Sequence, residues 1–451
     1  MAKFTLKCLH PLTNEQTELT YDNQTSELLF ADGTQVVQST PDFKSTKAFA
    51  LSKDNPAGKT TPKVLKIQLG LNCNYECSYC NQRFVPHAES TNPDDITPFV
   101  STLDTWVTEE PEKIEFWGGE PLVYWKTLKP LAEALRVKYP NAKFSIITNG
   151  SLLDNEKNEW LDRLGFGVGL SHDGPGYHAR GLDPLTIPEQ RAAIMDLWQR
   201  LGKTRMSINA MVHKDNKSRA DIEEFLVKEF GEDLVIGEGA FIDPYDEGGV
   251  ASSLHSYGEE IAFRNQSLVD MRDGKTNKFD VNSRKVQDFI DSILTARAAT
   301  SLGQKCSMDR ADNLAVDLNG NVLTCQNTSA VGIAPNGESH KLGHVSDMAN
   351  VKLKTSTHWS KRDECPNCPV LQVCKGSCMF LEGLLWEHGC NNAFSDNLPY
   401  FTVAIEVLTG FLPYYIEGPQ REDRKDIYGL LSGAPKYEEK KKPFPIPVVA
   451  G

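Results

Sequence analysis

The chain has 451 residues, 39% of them apolar, with 48 Lys and Arg against 61 Asp and Glu for a formal net charge of −13. This is the composition of a globular protein with a buried core and about three domains, which excludes a wholly disordered chain and disfavours broad nucleic-acid binding. No apolar run approaches the roughly eighteen residues of a spanning helix, and the first residues lack the basic flank and apolar stretch of a secretory signal.

In chain order, residues 1–60 read as a β-rich extension. Strand candidates lie at LKCLHPL, around Glu18–Tyr21, at SELLF and at TQVVQ, broken by Asp-Asn and Asp-Gly turns. From Pro62 the pattern alternates. Strands are expected at 64–71, 113–119, 144–150, 165–171, 205–213 and 233–242. Helices are expected at about 93–109, 125–138, 154–164, 188–201, 218–230 and 257–271. Such alternation implies a parallel sheet with right-handed crossovers. Six units are too few to close an eight-stranded barrel, so the fold class is α/β, a partial (β/α)6 barrel over 61–300. Its chemistry belongs at the C-terminal ends of the strands. One more helix is expected at 276–300. Residues 301–395 are rich in Cys, Gly and Asn with little periodicity, and need a staple other than a large apolar core. Residues 396–451 read as a helix at about 399–416 and a charged, Pro-rich, extended tail.

The eleven cysteines are unevenly spread: Cys8 stands alone, Cys73, Cys77 and Cys80 crowd together, and seven more lie between 306 and 390. A disulfide framework would go with an export signal and an even count, and neither is present. The clustering points to metal or cluster ligation in a reducing compartment such as the cytoplasm. The run LNCNYECSYCNQ begins where the first barrel strand ends. Three thiolates on one loop reach three corners of a four-iron cubane and leave one iron open, as a catalytic cluster needs. The alternative is zinc. Pairing Cys77 and Cys80 with Cys365 and Cys368 would satisfy one ion but leave the other cysteines without a role.

Three further motifs follow in order. FWGGEP closes the second barrel strand, ITNG the third and SHDGP the fourth. With CNYECSYC as a C-x3-C-x-aromatic-C loop, this set resembles the radical S-adenosylmethionine (SAM) superfamily over about residues 62–275. The resemblance implies a [4Fe–4S] cluster on Cys73, Cys77 and Cys80, with SAM at its open iron. It implies cleavage of SAM to a 5′-deoxyadenosyl radical that removes a hydrogen atom from the substrate. Cofactor contacts would come from Tyr79, from Gly118 and Gly119 by close backbone approach, and from Glu120 and Pro121. Glu120 would accept hydrogen bonds from the cofactor ammonium. Thr148, Asn149 and Ser171 would meet ribose and carboxylate, and Arg180 the carboxylate. His172 departs from the apolar residue usual after that serine.

The later cysteines read Cys306-x13-Gly320-x4-Cys325, then Cys365-x2-Cys368-x5-Cys374-x3-Cys378, then Cys390. They resemble the seven-cysteine signature of the SPASM extension of radical SAM enzymes. The resemblance implies two auxiliary [4Fe–4S] clusters, and so three clusters in all. Cys306, Cys325 and Cys378 would hold the first, and Cys365, Cys368, Cys374 and Cys390 the second. The fourth position of the first would be open, taken by substrate, or filled by an oxygen of Asp309 or Asp312. Cys8 is a formal candidate but reads as a small apolar residue.

Enzymes of this kind often modify peptides. The resemblance therefore implies a maturase that installs a C–C, ether or thioether crosslink in a ribosomally made precursor peptide, reduced by a flavodoxin or ferredoxin. Alternatives are an anaerobic sulfatase maturase, an enzyme of small-molecule or cofactor biosynthesis, and a non-catalytic iron–sulfur electron carrier. Sulfatase maturases usually carry Asp where Gln326 follows Cys325. No nucleic-acid or membrane partner is expected. Asp309, Asp317 and Tyr245 are candidates to face substrate, and no residue is assigned as catalytic acid or base. Residues 1–60 either cap the fold or offer a strand edge to a leader peptide.

Overall fold

A computed structural model of the chain describes residues 2–46, 56–88, 91–334, 337–353 and 357–430. Three strands open it: β1 (Lys3–Leu9), β2 (Gln16–Asp22) and β3 (Glu27–Phe30). Side chains alternate along a strand, so Phe4, Leu6, Cys8, Leu19, Tyr21 and Leu28 share one buried face. The stretch TQVVQ is not a fourth strand. Phe30 N donates to the Thr34 carbonyl at 2.8 Å and Val36 N to the Leu28 carbonyl at 3.0 Å, so the chain folds back on β3 and closes that edge.

Six parallel strands then lie side by side in sequence order: β4 (Val64–Gln68), β5 (Lys113–Trp117), β6 (Lys143–Thr148), β7 (Phe166–Ser171), β8 (Met206–Asn209) and β9 (Ile236–Glu238). The helices between and after them are α1 (Ile96–Trp106), α2 (Trp125–Lys138), α3 (Asn155–Arg163), α4 (Pro188–Arg205), α5 (Arg219–Phe230) and α6 (Tyr257–Arg272). The partial barrel is as expected, with shorter strands. Ile114, Phe116, Phe144, Ile146, Phe166 and Val168 are buried in the core with apolar helix residues such as Leu128, Leu131 and Leu161. The alternate residues Glu115, Trp117, Ser145, Ile147, Gly167 and Gly169 line a lumen of about 310 Å³.

The cysteine-rich stretch departs from expectation. β10 (Asn313–Asp317) pairs in parallel with β4, and antiparallel β11 (Asn321–Leu323) and β12 (Lys341–His344) extend the sheet to nine strands. Leu314, Val316 and Val322 belong to the main core. A five-residue strand buried along its length shows no alternation, so periodicity misses it. Asp317, expected to face substrate, instead closes the β10–β11 turn. It accepts from Asn319 N at 3.0 Å and from Asn321 N at 2.9 Å.

After α7 (Asp280–Leu294), the long helix α8 spans Gly383–Thr409, starting well before the expected 399 and ending before 416. Its run SDNLPY carries turn signals but stays helical because its polar groups have partners. Asp396 pairs with Arg219 and, at 3.0 Å, with Lys285, while Arg264 Nε donates to Ser395 Oγ at 3.1 Å. Residues 412–417, read as the end of that helix, are strand β13 (Leu412–Glu417), antiparallel to β1. The outer side of β13 is covered in turn, because Ile416 N donates to the Lys425 carbonyl at 2.9 Å. Both edges of the terminal sheet are therefore closed by the chain itself. It caps α7 and α8 through Tyr21, Phe289 and Phe401, whose rings lie 5.0–5.6 Å apart. The tail from 431 lies outside the described residues. Among the described residues, no helix is long and apolar enough to cross a membrane.

Candidate active site

The loop after β4 sets Cys73, Cys77 and Cys80 on one wall of a cavity of about 640 Å³ at the C-terminal ends of the strands. Gly119, Glu120, Thr148, Asn149, Ser171 and Arg180 line the same cavity. Gly118, Pro121 and Tyr79 stand behind it. Cys73 is exposed, and Cys77 and Cys80 are half-buried. The N–H groups of Tyr75 and Gln82 point at the Cys73 and Cys80 sulfurs, each at 3.4 Å. Burial pushes the Cys77 thiol up to about 12, against the pull of Arg180. Metal ligation would hold such a thiol deprotonated. A three-sulfur loop facing a roomy, partly polar cavity fits a cubane with one open iron.

The turn Gly118–Pro121 fixes this loop. Gly119 N donates to the Gly70 carbonyl at 3.1 Å and Glu120 N to the Asn72 carbonyl at 3.0 Å. A Cβ on Gly119 would lie 2.4 Å from the Leu71 carbonyl oxygen. The close approach expected of this glycine is therefore made to the cysteine loop itself. Asn72 N donates in turn to the Tyr124 hydroxyl at 2.8 Å. Glu120 is buried and accepts from Leu122 N at 3.0 Å, Thr148 Oγ1 at 2.8 Å and Asn149 N at 2.7 Å. Burial nevertheless pushes its carboxyl up to about 7, with those hydrogen bonds pulling the other way. Asn149 also ties the third strand tip to the loop. Its Nδ2 donates to Asn74 Oδ1 at 2.9 Å and its Oδ1 accepts from Ser151 Oγ at 2.7 Å.

Sequence reading missed Asp173. It is fully buried and accepts from Arg180 Nε at 2.8 Å, Arg180 Nη2 at 2.9 Å and Met211 N at 2.8 Å. The Tyr79 hydroxyl donates to it as well, and Tyr79 is not among the residues lining the cavity. Arg180 thus arrives at the wall with its charge matched and its plane fixed. The signal was an acidic residue in SHDGP with an arginine seven positions on. His172 is buried as an anchor, with Nε2 3.0 Å from Asp183 Oδ1 and Nδ1 accepting from Gly174 N at 3.1 Å.

The later cysteines form two groups. Cys365, Cys368, Cys374 and Cys390 line one small cavity together with Trp386, Phe394 and Arg424. Cys325 and Cys378 each feel the charge of Cys306, and the Tyr245 hydroxyl hydrogen-bonds the Cys378 thiol. Asp312 is turned to Arg310, with Nε at 3.0 Å and Nη2 at 2.9 Å. Asp309 is buried and accepts from Gln304 N at 2.7 Å, while its Oδ1 has no hydrogen-bond partner among the described residues. Cys8 sits fully buried on β1, in an apolar cluster with Phe4 and Leu19 that also takes in Cys368. The first group adjoins the active-site loop, since Gln82 Nε2 donates to Asn327 Oδ1 at 2.9 Å.

The model of the radical SAM superfamily matches residues 67–226. The radical SAM cyclopropyl synthase TigE of Paramaledivibacter caminithermalis is similar at 25% identity over 134 residues, 25% of this chain and 27% of that one. The PqqA peptide cyclase of Gluconobacter oxydans is similar at 27% identity over 172 residues, 38% of this chain and 47% of that one. The matched stretch spans less than half the length of either relative. Among solved structures, native anSMEcpe with bound AdoMet and Kp18Cys peptide superposes with a TM-score of 0.52 at 20% identity, over 76% of this chain and 99% of that one. The shared fold thus reaches beyond the family segment.

The Gly119 contact yields a test. Gly119→Ala drives a methyl into the Leu71 and Asn72 backbone, which the loop cannot yield without moving its cysteines. We expect the variant to fold, by circular dichroism, and to hold about four irons fewer than the unchanged chain after anaerobic reconstitution, one cubane's worth. Full iron content would contradict this role.

Proposed function

Residues 67–226 are a radical SAM domain, and from this premise we propose that the chain is a peptide-modifying enzyme carrying one SAM-binding cluster and two auxiliary clusters. The observation that carries the reading is a single cavity lined by Cys73, Cys77, Cys80, Glu120, Ser171 and Arg180. When bound there, a reduced [4Fe–4S] cluster and SAM supply a 5′-deoxyadenosyl radical that takes a hydrogen atom from the substrate. The chain's own residues hold and orient these partners. Cys73, Cys77 and Cys80 would hold such a cluster as thiolates, from one wall of the cavity. Glu120, charged, accepts the ammonium of SAM, a charge-assisted contact. Arg180, fixed by Asp173, offers its remaining nitrogen toward a carboxylate. Buried walls around Thr148 and Glu120 limit water.

Cys306, Cys325 and Cys378 are the proposed ligands of the first auxiliary cluster. Cys365, Cys368, Cys374 and Cys390 are those of the second, and their common cavity supports that set. A precursor peptide is the proposed substrate and a flavodoxin or ferredoxin the electron donor. A relative named as a peptide cyclase and a fold neighbour solved with a peptide support the substrate class. Formation of a C–C, ether or thioether crosslink is the proposed outcome. The sulfatase-maturase reading is weaker here. Where that family would have a carboxylate, the Gln326 amide accepts from Lys66 Nζ at 3.3 Å and its carbonyl from Gln68 Nε2 at 2.8 Å. A pure electron carrier has no use for the Glu120 wall.

Two measurements test the reading. After anaerobic reconstitution, the full chain should hold about twelve irons and the Cys73/Cys77/Cys80→Ala variant about eight, at four per cubane. Only the former should form 5′-deoxyadenosine from SAM under strong reductant. About four irons, or no nucleoside, would overturn it. The second concerns pH. Below its raised value of about 7, Glu120 is protonated and offers the SAM ammonium no anion. Binding of SAM to the reconstituted protein should therefore tighten from about pH 5.5 to about pH 7 and level off above, in equilibrium dialysis. A flat profile, or weaker binding at higher pH, would remove Glu120 from that role.

A further inference from the structure

Among the described residues lining the cavity of Cys365, Cys368, Cys374 and Cys390, one is cationic. Arg424 is buried, only 3% exposed, and donates from Nη2 to the Cys390 sulfur at 3.3 Å and to Asn391 Oδ1 at 2.8 Å. Its guanidinium lies 4.5 Å from the centre of the Phe394 ring. Asp423 and Glu260 act on it only at longer range, and Asp423 is itself paired with Arg421. The Cys390 sulfur is therefore the cysteine atom that Arg424 contacts directly, and as a cluster ligand it would be anionic. Arg180 at the other site differs, since Asp173 already matches its charge through two hydrogen bonds.

The two ends of the chain build this arrangement. Arg424 comes from the short turn Glu422–Arg424 that follows β13, and the Ile416–Lys425 backbone bond holds that turn on the terminal sheet. From the other end, Asn23 after β2 donates to the Cys368 carbonyl at 2.7 Å and the Pro366 carbonyl at 3.1 Å.

We propose that Arg424 is a positioning residue that raises the reduction potential of the iron–sulfur cluster held by these four cysteines, and that the terminal sheet exists in part to carry it there. This rests on the proposed reading of the four cysteines as cluster ligands. A cubane with four thiolates is an anion, and reduction adds one more negative charge. A buried, fixed cation at one sulfur favours the reduced form, and the N–H···S hydrogen bond acts in the same direction. Arginine suits the task because it stays charged and its planar fork bonds sulfur and Asn391 at once.

The test is a reductive titration of the reconstituted full chain followed by electron paramagnetic resonance. Arg424→Gln should keep its iron and sulfide, while one cluster becomes at least tenfold harder to reduce, about 59 mV for one electron. Arg424→Lys should recover part of that shift. An unchanged potential with full iron would overturn the proposal. Should the Gln variant lose its cluster, wild-type protein labelled with 15N-arginine decides. Hyperfine coupling of a guanidinium nitrogen to the reduced cluster supports the role, and its absence overturns it. If instead Cys390→Ala leaves the iron count unchanged, it is the ligand reading that fails.

Discussion

Everything at the active site depends on one backbone-to-backbone contact. The Gly118–Pro121 turn lies so close to Leu71 and Asn72 that no side chain fits between them. That contact sets where the cysteine loop leaves β4, and so where its three sulfurs face. The same turn presents Glu120 to the cavity, and Glu120 in turn gathers the tips of β5 and β6 through Leu122, Thr148 and Asn149. One short motif thus positions ligands, carboxylate and neighbouring strand ends together. A sequence that kept the cysteines but lost Gly119 would keep the donors without their geometry.

Charge is handled differently at the two best-defined sites. At the SAM-type cavity, the buried Arg180 is neutralised by Asp173, so an incoming carboxylate meets a rigid partner and no large uncompensated field. At the four-cysteine cavity, Arg424 is left to the sulfurs. Burying a charge is costly unless it is paired, and thiolates ligating a cluster would pair this one. The terminal sheet, with both edges closed, gives this second site a wall of its own, apart from the nine-stranded sheet.

The barrel was legible in the sequence because its strands alternate with helices and the first four each run into a motif. KIEFW runs into Gly-Gly-Glu-Pro, and FSIIT into Asn149 and Gly150. The crowding of the cysteines was legible from their spacing, while their division into sets came from the resemblance to the SPASM signature. What escaped was long-range or locally disguised. NLAVD is too short and too uniformly buried to show a period. SDNLPY carries turn signals, yet it continues a helix because Arg219, Lys285 and Arg264 come from distant segments to satisfy it. TQVVQ has strand composition but folds back as an edge cover. Arg424 sits in the run REDRKD, which reads as a solvated charge cluster, and only tertiary structure brings it to Cys390. Asp173 was visible as a residue but not as the partner of Arg180.

The central claim is that the Cys73–Cys80 loop leaves one iron free for SAM. The most direct measurement is the electron paramagnetic resonance spectrum of the reduced, reconstituted protein with and without SAM labelled with 15N at its amino group. The account predicts that SAM shifts the spectrum and that the amino nitrogen couples to the cluster in wild type, with neither effect in the Cys73/Cys77/Cys80→Ala variant. Spectra that are identical with and without SAM in the wild-type protein would contradict it.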